Sequence, residues 1–164
     1  MATNDLTATR LRELLDYNPE TGVFTNRAPR KKIRVGEMAG AIDKSNGYLK
    51  ITIDYRHYYA HRLAFLFMTG AWPVAFVDHV NGDRTANQWQ NLRDVPKRVN
   101  QQNRRTATAG SASGLLGAHK KRGRWSSQIT ANGEHTKLGT FATPEQAHAA
   151  YINAKRQLHE GCTL

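Results

Sequence analysis

Val77-Asp78-His79-Val80-Asn81-Gly82-Asp83, followed by Asn91-Leu92-Arg93 and then by Val99-Asn100, is the stretch on which the reading of this chain turns. Residues 76–80 predict a strand, residues 81–90 a polar loop and residues 92–95 a return strand. Pro96 suits the first turn of a helix running to about residue 103, because its missing N–H is not needed there. The spacings are part of the signal: Asn91 follows His79 by 12 positions and Asn100 follows Asn91 by 9.

An Asp-His pair at a strand end, a glycine turn and two asparagines have the residue types of a one-metal phosphodiester hydrolase. That reaction needs an activated water, charge stabilisation on the phosphorane and help for the departing oxygen. A neutral imidazole titrates in the range needed to take a proton from water. A carboxylate with an amide oxygen suits hard Mg²⁺ or Mn²⁺. Adjacent strand residues point to opposite faces, so Asp78 and His79 serve one site only if the backbone distorts between them. Asn100 lies one helical turn past Pro96, from where its side chain is expected to face back toward Asp78.

Upstream, Leu11, Leu14 and Leu15 have the spacing of a short amphipathic helix over residues 6–16, ended by Asn18-Pro19. A short strand is expected at residues 23–25. Residues 27–34 hold five basic side chains and no acid, and with Pro29 they read as a loop able to lie along phosphates. Residues 47–53 and 55–60 predict a β-hairpin turning at Asp54-Tyr55. Residues 61–69 predict an apolar helix stopped by Gly70, with Pro73 beyond it. His61 opens that helix and reads as a packing or capping residue.

Downstream, residues 105–113 are mostly Thr, Ala, Gly and Ser, a linker composition. Beyond them residues 115–119, 125–130 and 137–141 predict three strands, the last two joined at Asn132-Gly133. Thr143-Pro144-Glu145-Gln146 predicts a helix start, with Thr143 as N-cap and Gln146 at the capping-box position. Ala147, Ala150, Tyr151, Ala154 and Leu158 then form one face that lies on the sheet. The expected organisation is a first domain over residues 1–106, with its site motif at about 74–104, a linker at 107–112 and a second domain over 113–161. The fold class is α+β.

The stretch from about residue 48 to 104 resembles the HNH endonucleases found as free-standing or intron-encoded homing enzymes in phages. The residues that carry the likeness are His61-Arg62-Leu63-Ala64, the 77–83 stretch, Asn91-Leu92-Arg93 and Asn100-Gln101-Gln102-Asn103. The resemblance implies a ββα-metal fold in which Asp78 and Asn100 hold one divalent ion, Mg²⁺ or Mn²⁺. It implies His79 as general base and Asn91 as the residue that holds the loop and the imidazole. The chain departs from the family's lettering at Asn100, where the name has histidine; asparagine is common there in the homing branch.

Residues 113–161 resemble the DNA-binding domain of the plant ethylene-response-factor family. Gly114-Leu115-Leu116-Gly117, Gly123-Arg124-Trp125, Leu138-Gly139-Thr140-Phe141 and Glu145-Gln146-Ala147 with Ala150-Tyr151 carry that likeness. It implies a three-stranded antiparallel sheet packed on one helix, with Lys120, Arg122, Arg124, Trp125, Gln128 and Lys137 contacting DNA. Trp125 reads equally as a core residue, and Arg124 beside it should point to the opposite face.

Composition agrees with a nucleic-acid partner. The 164 residues carry a formal charge of +11, with 17 Lys and Arg against 10 Asp and Glu in residues 1–110 and 7 against 3 in residues 111–164. Cys162 is the only cysteine, which excludes an intrachain disulfide and a cysteine-based zinc site and suits a reducing compartment. The start of the chain lacks the pattern of a secretory signal, and the longest apolar run is too short to span a bilayer. The expectation is a cytoplasmic protein, host-cell cytoplasm if phage-encoded, that cuts or nicks double-stranded DNA. No membrane or protein partner is implied, and one site per chain suggests a monomeric nickase, with a dimer as the other arrangement. The alternative is a non-catalytic, sequence-specific DNA-binding regulator with a vestigial motif. An RNA-binding reading rests on charge alone.

Overall fold

The computed structural model describes residues 6–29 and 33–164. The chain is α+β and divides into two compact units, Met1–Pro96 and Lys97–Leu164. Three residues of the basic 27–34 run, residues 30–32, lie outside the described residues.

In the first unit, α1 spans Ala8–Leu14, and Thr7 caps it by accepting a bond from the Arg10 N–H at 3.1 Å. The helix ends earlier than the leucine spacing suggested. Leu15 already has an extended backbone and opens β1, Leu15–Asn18, which alternates buried and exposed residues. The third leucine of the helical spacing is thus also the first buried residue of a period-two pattern completed by Tyr17. Asn18 Oδ1 accepts the Glu20 and Thr21 N–H groups, turning the chain into β2, Val23–Asn26.

A short β3, Ala41–Ile42, precedes the expected hairpin of β4, Leu49–Ile53, and β5, Arg56–Tyr59. At the tip Asp54 and Tyr55 both have positive φ, 45° and 65°, the geometry of a two-residue turn matched to strand twist. Helix α2, Ala60–Thr69, follows directly and stops at Gly70, whose φ of 80° lets its N–H reach the Leu66 carbonyl. Leu63, Ala64 and Leu66 from α2, Leu11 and Leu14 from α1, and Phe24, Ile51 and Ile53 from the strands form the buried core. At roughly 1.5–3 kcal/mol for each large apolar side chain fully buried, this cluster dominates the unit's stability.

The motif strands are β6, Phe76–His79, and β7, Leu92–Val95, paired antiparallel with Asp78 opposite Arg93 and His79 opposite Leu92. The ladder is regular through Asp78 and His79.

The second unit begins with α3, Lys97–Gln102. The division therefore falls one helix before the linker at 107–112, because α3 and the residues after it bond to the end of the chain. Gly161 N–H donates to Gln102 Oε1 at 3.0 Å, Arg98 pairs with Glu160 at 2.7 Å, and Arg105 reaches the Thr163 carbonyl at 2.8 Å. The buried Lys155 donates to the Arg104 carbonyl. Strands β8, His119–Lys121, β9, Arg124–Ala131, and β10, Glu134–Phe141, form one antiparallel sheet in the order β10-β9-β8. The first of these begins later than its sequence suggested, since the buried Leu116 and Ala118 lie in the turns before it. Helix α4, Pro144–Leu158, starts with the expected capping box of Thr143 and Gln146. It covers the sheet face that carries the buried Ser127 and Ile129. Tyr151 packs against Gly117, where a Cβ would lie 2.0 Å from the tyrosine ring.

Candidate active site

Because β6 stays regular, Asp78 and His79 point to opposite faces of the strand and acquire different partners. Asp78 is buried, and its Oδ2 accepts two bonds from Arg93, from Nε at 2.9 Å and from a terminal nitrogen at 2.8 Å. Arg93 is its cross-strand neighbour, so the β6–β7 register sets up this ion pair. The register carries no bulge between them, yet the Asp78 charge still acts on the His79 imidazole, so the two groups stay within electrostatic reach without the expected distortion.

His79 enters an aromatic box instead. Its ring lies edge-on to His61 with centroids 5.2 Å apart, and 5.9 Å from the Tyr48 ring. His61 stacks on Tyr59 at 5.7 Å with planes 8° apart. Arg84, from the loop after β6, covers Tyr48 at 5.1 Å and donates to the Asn46 carbonyl at 2.6 Å. His61 is a packing residue, as its place on an apolar helix suggested, but what it packs against is the candidate base. Its Nδ1 is buried with no partner among the described residues.

Burial lowers the pKa of both imidazoles. For His61 it acts with the neighbouring His79 and Arg62 charges to bring the value down to about 3. For His79 burial outweighs the opposing effect of its hydrogen bond to Asn87. Both rings are therefore neutral at pH 7, the state in which an imidazole accepts a proton.

Asn87 is the residue that sequence reasoning missed. Its Oδ1 lies 3.2 Å from His79 Nε2, while its Nδ2 donates to the Thr85 carbonyl at 3.0 Å. The second bond orients the amide, so Oδ1 faces the imidazole and Nε2 is the protonated nitrogen. The lone pair is then on Nδ1. A signal was present in the sequence: Asn87 is a third asparagine within the same loop, in a polar segment where nothing else distinguished it.

Asn91 fastens the loop. Its Oδ1 accepts the Asn81 N–H at 2.9 Å, and its Nδ2 donates to the Ala86 carbonyl at 2.6 Å and to Asn81 Oδ1 at 3.0 Å. Asn81 and Asp83 continue the network by accepting the Asp83 and Thr85 N–H groups, both at 2.8 Å. These bonds place Asn91 on the loop backbone, and Asn87 on the imidazole. Asn100 is half-buried on α3 and belongs to the second unit.

Among the described residues no three His, Cys, Asp or Glu side chains gather as a metal cluster. The candidate donor set is all oxygen, the Asp78 carboxylate and, by the resemblance, the Asn100 amide. Such a set suits a hard cation that keeps several waters and takes further ligands from phosphate.

In the second unit, cross-strand pairing sorts the expected DNA contacts. Arg124, Gln128 and Lys137 are exposed on the sheet face away from α4, Gln128 directly opposite Lys137. Lys121 pairs with Arg124 and shares that face, whereas Lys120 pairs with Trp125 on the other. Trp125 is half-buried beside Phe141 on the helix side. Arg122 sits in the β8–β9 turn with a φ of 47°. Lys121 was overlooked because the sequence alone did not say which of two adjacent lysines pairs with Arg124.

Residues 58–102 match the family model of HNH endonucleases. The match covers less than half of the chain and supports a nuclease, a hydrolase acting on DNA. No curated protein and no solved structure matches the chain. Among the described residues, no helix is long and apolar enough to cross a membrane.

Proposed function

We propose that this chain is a metal-dependent DNA endonuclease of the homing type, cutting or nicking duplex DNA by phosphodiester hydrolysis to leave 5′-phosphate and 3′-hydroxyl ends. The observation that carries the reading is His79 itself, a neutral imidazole whose Nε2 is held by Asn87, within the stretch that matches the nuclease family.

His79 takes the proton from the attacking water, and Asn87 stabilises the resulting imidazolium by accepting from Nε2–H. Asn91 keeps the loop closed so that this geometry is preformed. By the resemblance, Asp78 and Asn100 are the residues that would hold Mg²⁺ or Mn²⁺, which would supply charge stabilisation for the phosphorane and the leaving oxygen. Arg124, Gln128, Lys137 and Lys121 on the open sheet face, with Arg122 at its edge, supply affinity for double-stranded DNA. Lys120 and Trp125 are secondary contacts on this reading.

A second reading, a DNA-binding regulator that does not cut, draws on one observation: Arg93 already matches the charge of Asp78. Incubation of the full chain with supercoiled plasmid in Mg²⁺ or Mn²⁺ separates the two. Nicked or linear product that disappears with EDTA and with His79→Ala is expected. Cleavage unchanged in His79→Ala would remove His79 as base, and binding without cleavage in either metal would favour the regulator.

A further inference from the structure

The β1–β2 hairpin lies outside the stretch that matches the nuclease family, yet it grips the site loop at three points. The Tyr17 hydroxyl donates to the Asn87 carbonyl at 2.7 Å, with Tyr17 7% and Asn87 2% exposed. The Trp89 N–H donates to the Pro19 carbonyl at 2.9 Å. At the hairpin turn, Gly22 has a φ of 73°, and a Cβ there would lie 2.3 Å from the Asn87 carbonyl carbon and 2.4 Å from the Gln88 nitrogen. Glycine is therefore required twice over, by its backbone angle and by the close approach of residues 87–88.

Asn87 is the residue thus held from behind, and its amide oxygen faces His79 Nε2 at 3.2 Å. A connected path runs from the hairpin through the backbone of Asn87 to the imidazole. Burial raises the Tyr17 pKa to about 12, so its hydroxyl remains a donor across the working range.

We propose that Tyr17 and Gly22 are positioning residues of the nuclease site, pressing and bonding Asn87 into the one placement from which its amide oxygen fixes the orientation and tautomer of His79. The catalytic consequence rests on the function proposed above; the tautomer does not. A hydroxyl that only supported the hairpin would change melting and leave the imidazole alone. One that acts through Asn87 changes the imidazole while the fold persists.

The test uses the full chain with Tyr17→Phe, Gly22→Ala and, as a core control, Ile53→Val. Long-range ¹H–¹⁵N correlation of the His79 ring is expected to show the Nε2–H form in wild type and a mixture with Nδ1–H in Tyr17→Phe. Plasmid cleavage by the two positioning variants should lose roughly tenfold to a hundredfold in kcat with KM for DNA unchanged. Ile53→Val should melt earlier with an unaltered tautomer. Folded Tyr17→Phe and Gly22→Ala with wild-type tautomer and kcat would overturn the proposal. So would a Tyr17→Phe that does not fold, since its hydroxyl would then be structural. If Gly22→Ala does not fold, Tyr17→Phe decides. Absence of cleavage by wild type with the tautomer shift still present would sink the nuclease reading and leave the positioning role standing.

Discussion

His61 meets His79 edge-on, with ring centroids 5.2 Å apart and planes 77° apart, on the buried side of the motif strand. Two histidines packed this closely and away from water cannot both be charged at modest cost, and the fold holds both neutral. The arrangement makes the base of the candidate reaction part of the core, so stability and chemistry respond to the same protons.

Acidification should therefore destabilise the first unit. Both histidines have folded pKa values below the ordinary 6.5, His61 at about 3. Between those values the unfolded chain binds protons that the folded chain does not. Stability is fully present above about pH 6.5 and falls as pH drops below it, by up to about 1.4 kcal/mol per pH unit for each histidine. Urea midpoints measured at pH 7 and pH 5 should differ, and His61→Leu should reduce the difference. Equal midpoints for wild type at the two pH values would contradict this account.

Removing Arg93 should cost more than neutralising Asp78. Arg93→Ala leaves a buried carboxylate without the cation that donates two bonds to its Oδ2, a loss of about 3 kcal/mol, whereas Asp78→Asn keeps an acceptor for the guanidinium. Chemical denaturation of both variants gives the order directly. A smaller loss for Arg93→Ala than for Asp78→Asn would mean that the buried carboxylate does not depend on this cation.

Gly161→Ala should loosen α3. A Cβ at this position would lie 2.3 Å from the Val99 carbonyl oxygen and 3.0 Å from the Gln102 Cβ, and its backbone N–H is bonded to Gln102. A loss of about 1–3 kcal/mol is expected from such overpacking. Hydrogen exchange should report faster exchange of the amides of residues 99–103, while Gly123→Ala, which meets nothing within 4 Å but is strained at a φ of 76°, should leave those amides unchanged. Unchanged protection in Gly161→Ala would show that the tail does not hold the helix.

DNA binding should depend on which face a basic residue occupies. The triple variant Lys121→Ala, Arg124→Ala, Lys137→Ala removes three cations from the open sheet face and should lower the slope of log K against log salt by about 2.7. Lys120→Ala should change it by less than one residue's share. Equal effects per residue on the two faces would argue against DNA binding through the open face of this sheet.

The local elements were legible wherever one signal stood alone. The capping box of Thr143 and Gln146, the Asn132-Gly133 turn and the stop at Gly70 each depend on a residue's own conformational preference, and each appears where the sequence put it. Leu15 shows the limit, because a helical spacing of leucines and a strand alternation overlapped there and packing chose the strand. Lys120 and Lys121 show it again, since a single residue of register exchanges the two faces.

By itself the sequence determined the residue types of the site, the α+β class and the likeness to a nuclease family, because spacing and turn chemistry are local properties. Tertiary structure decided which asparagine holds the imidazole, that Arg93 answers Asp78, and that the N-terminal hairpin backs the loop. Those outcomes depend on contacts between segments as far apart as Tyr17 and Asn87. Only the packed chain brings such groups within hydrogen-bond distance, and no spacing along the sequence encodes which ones meet.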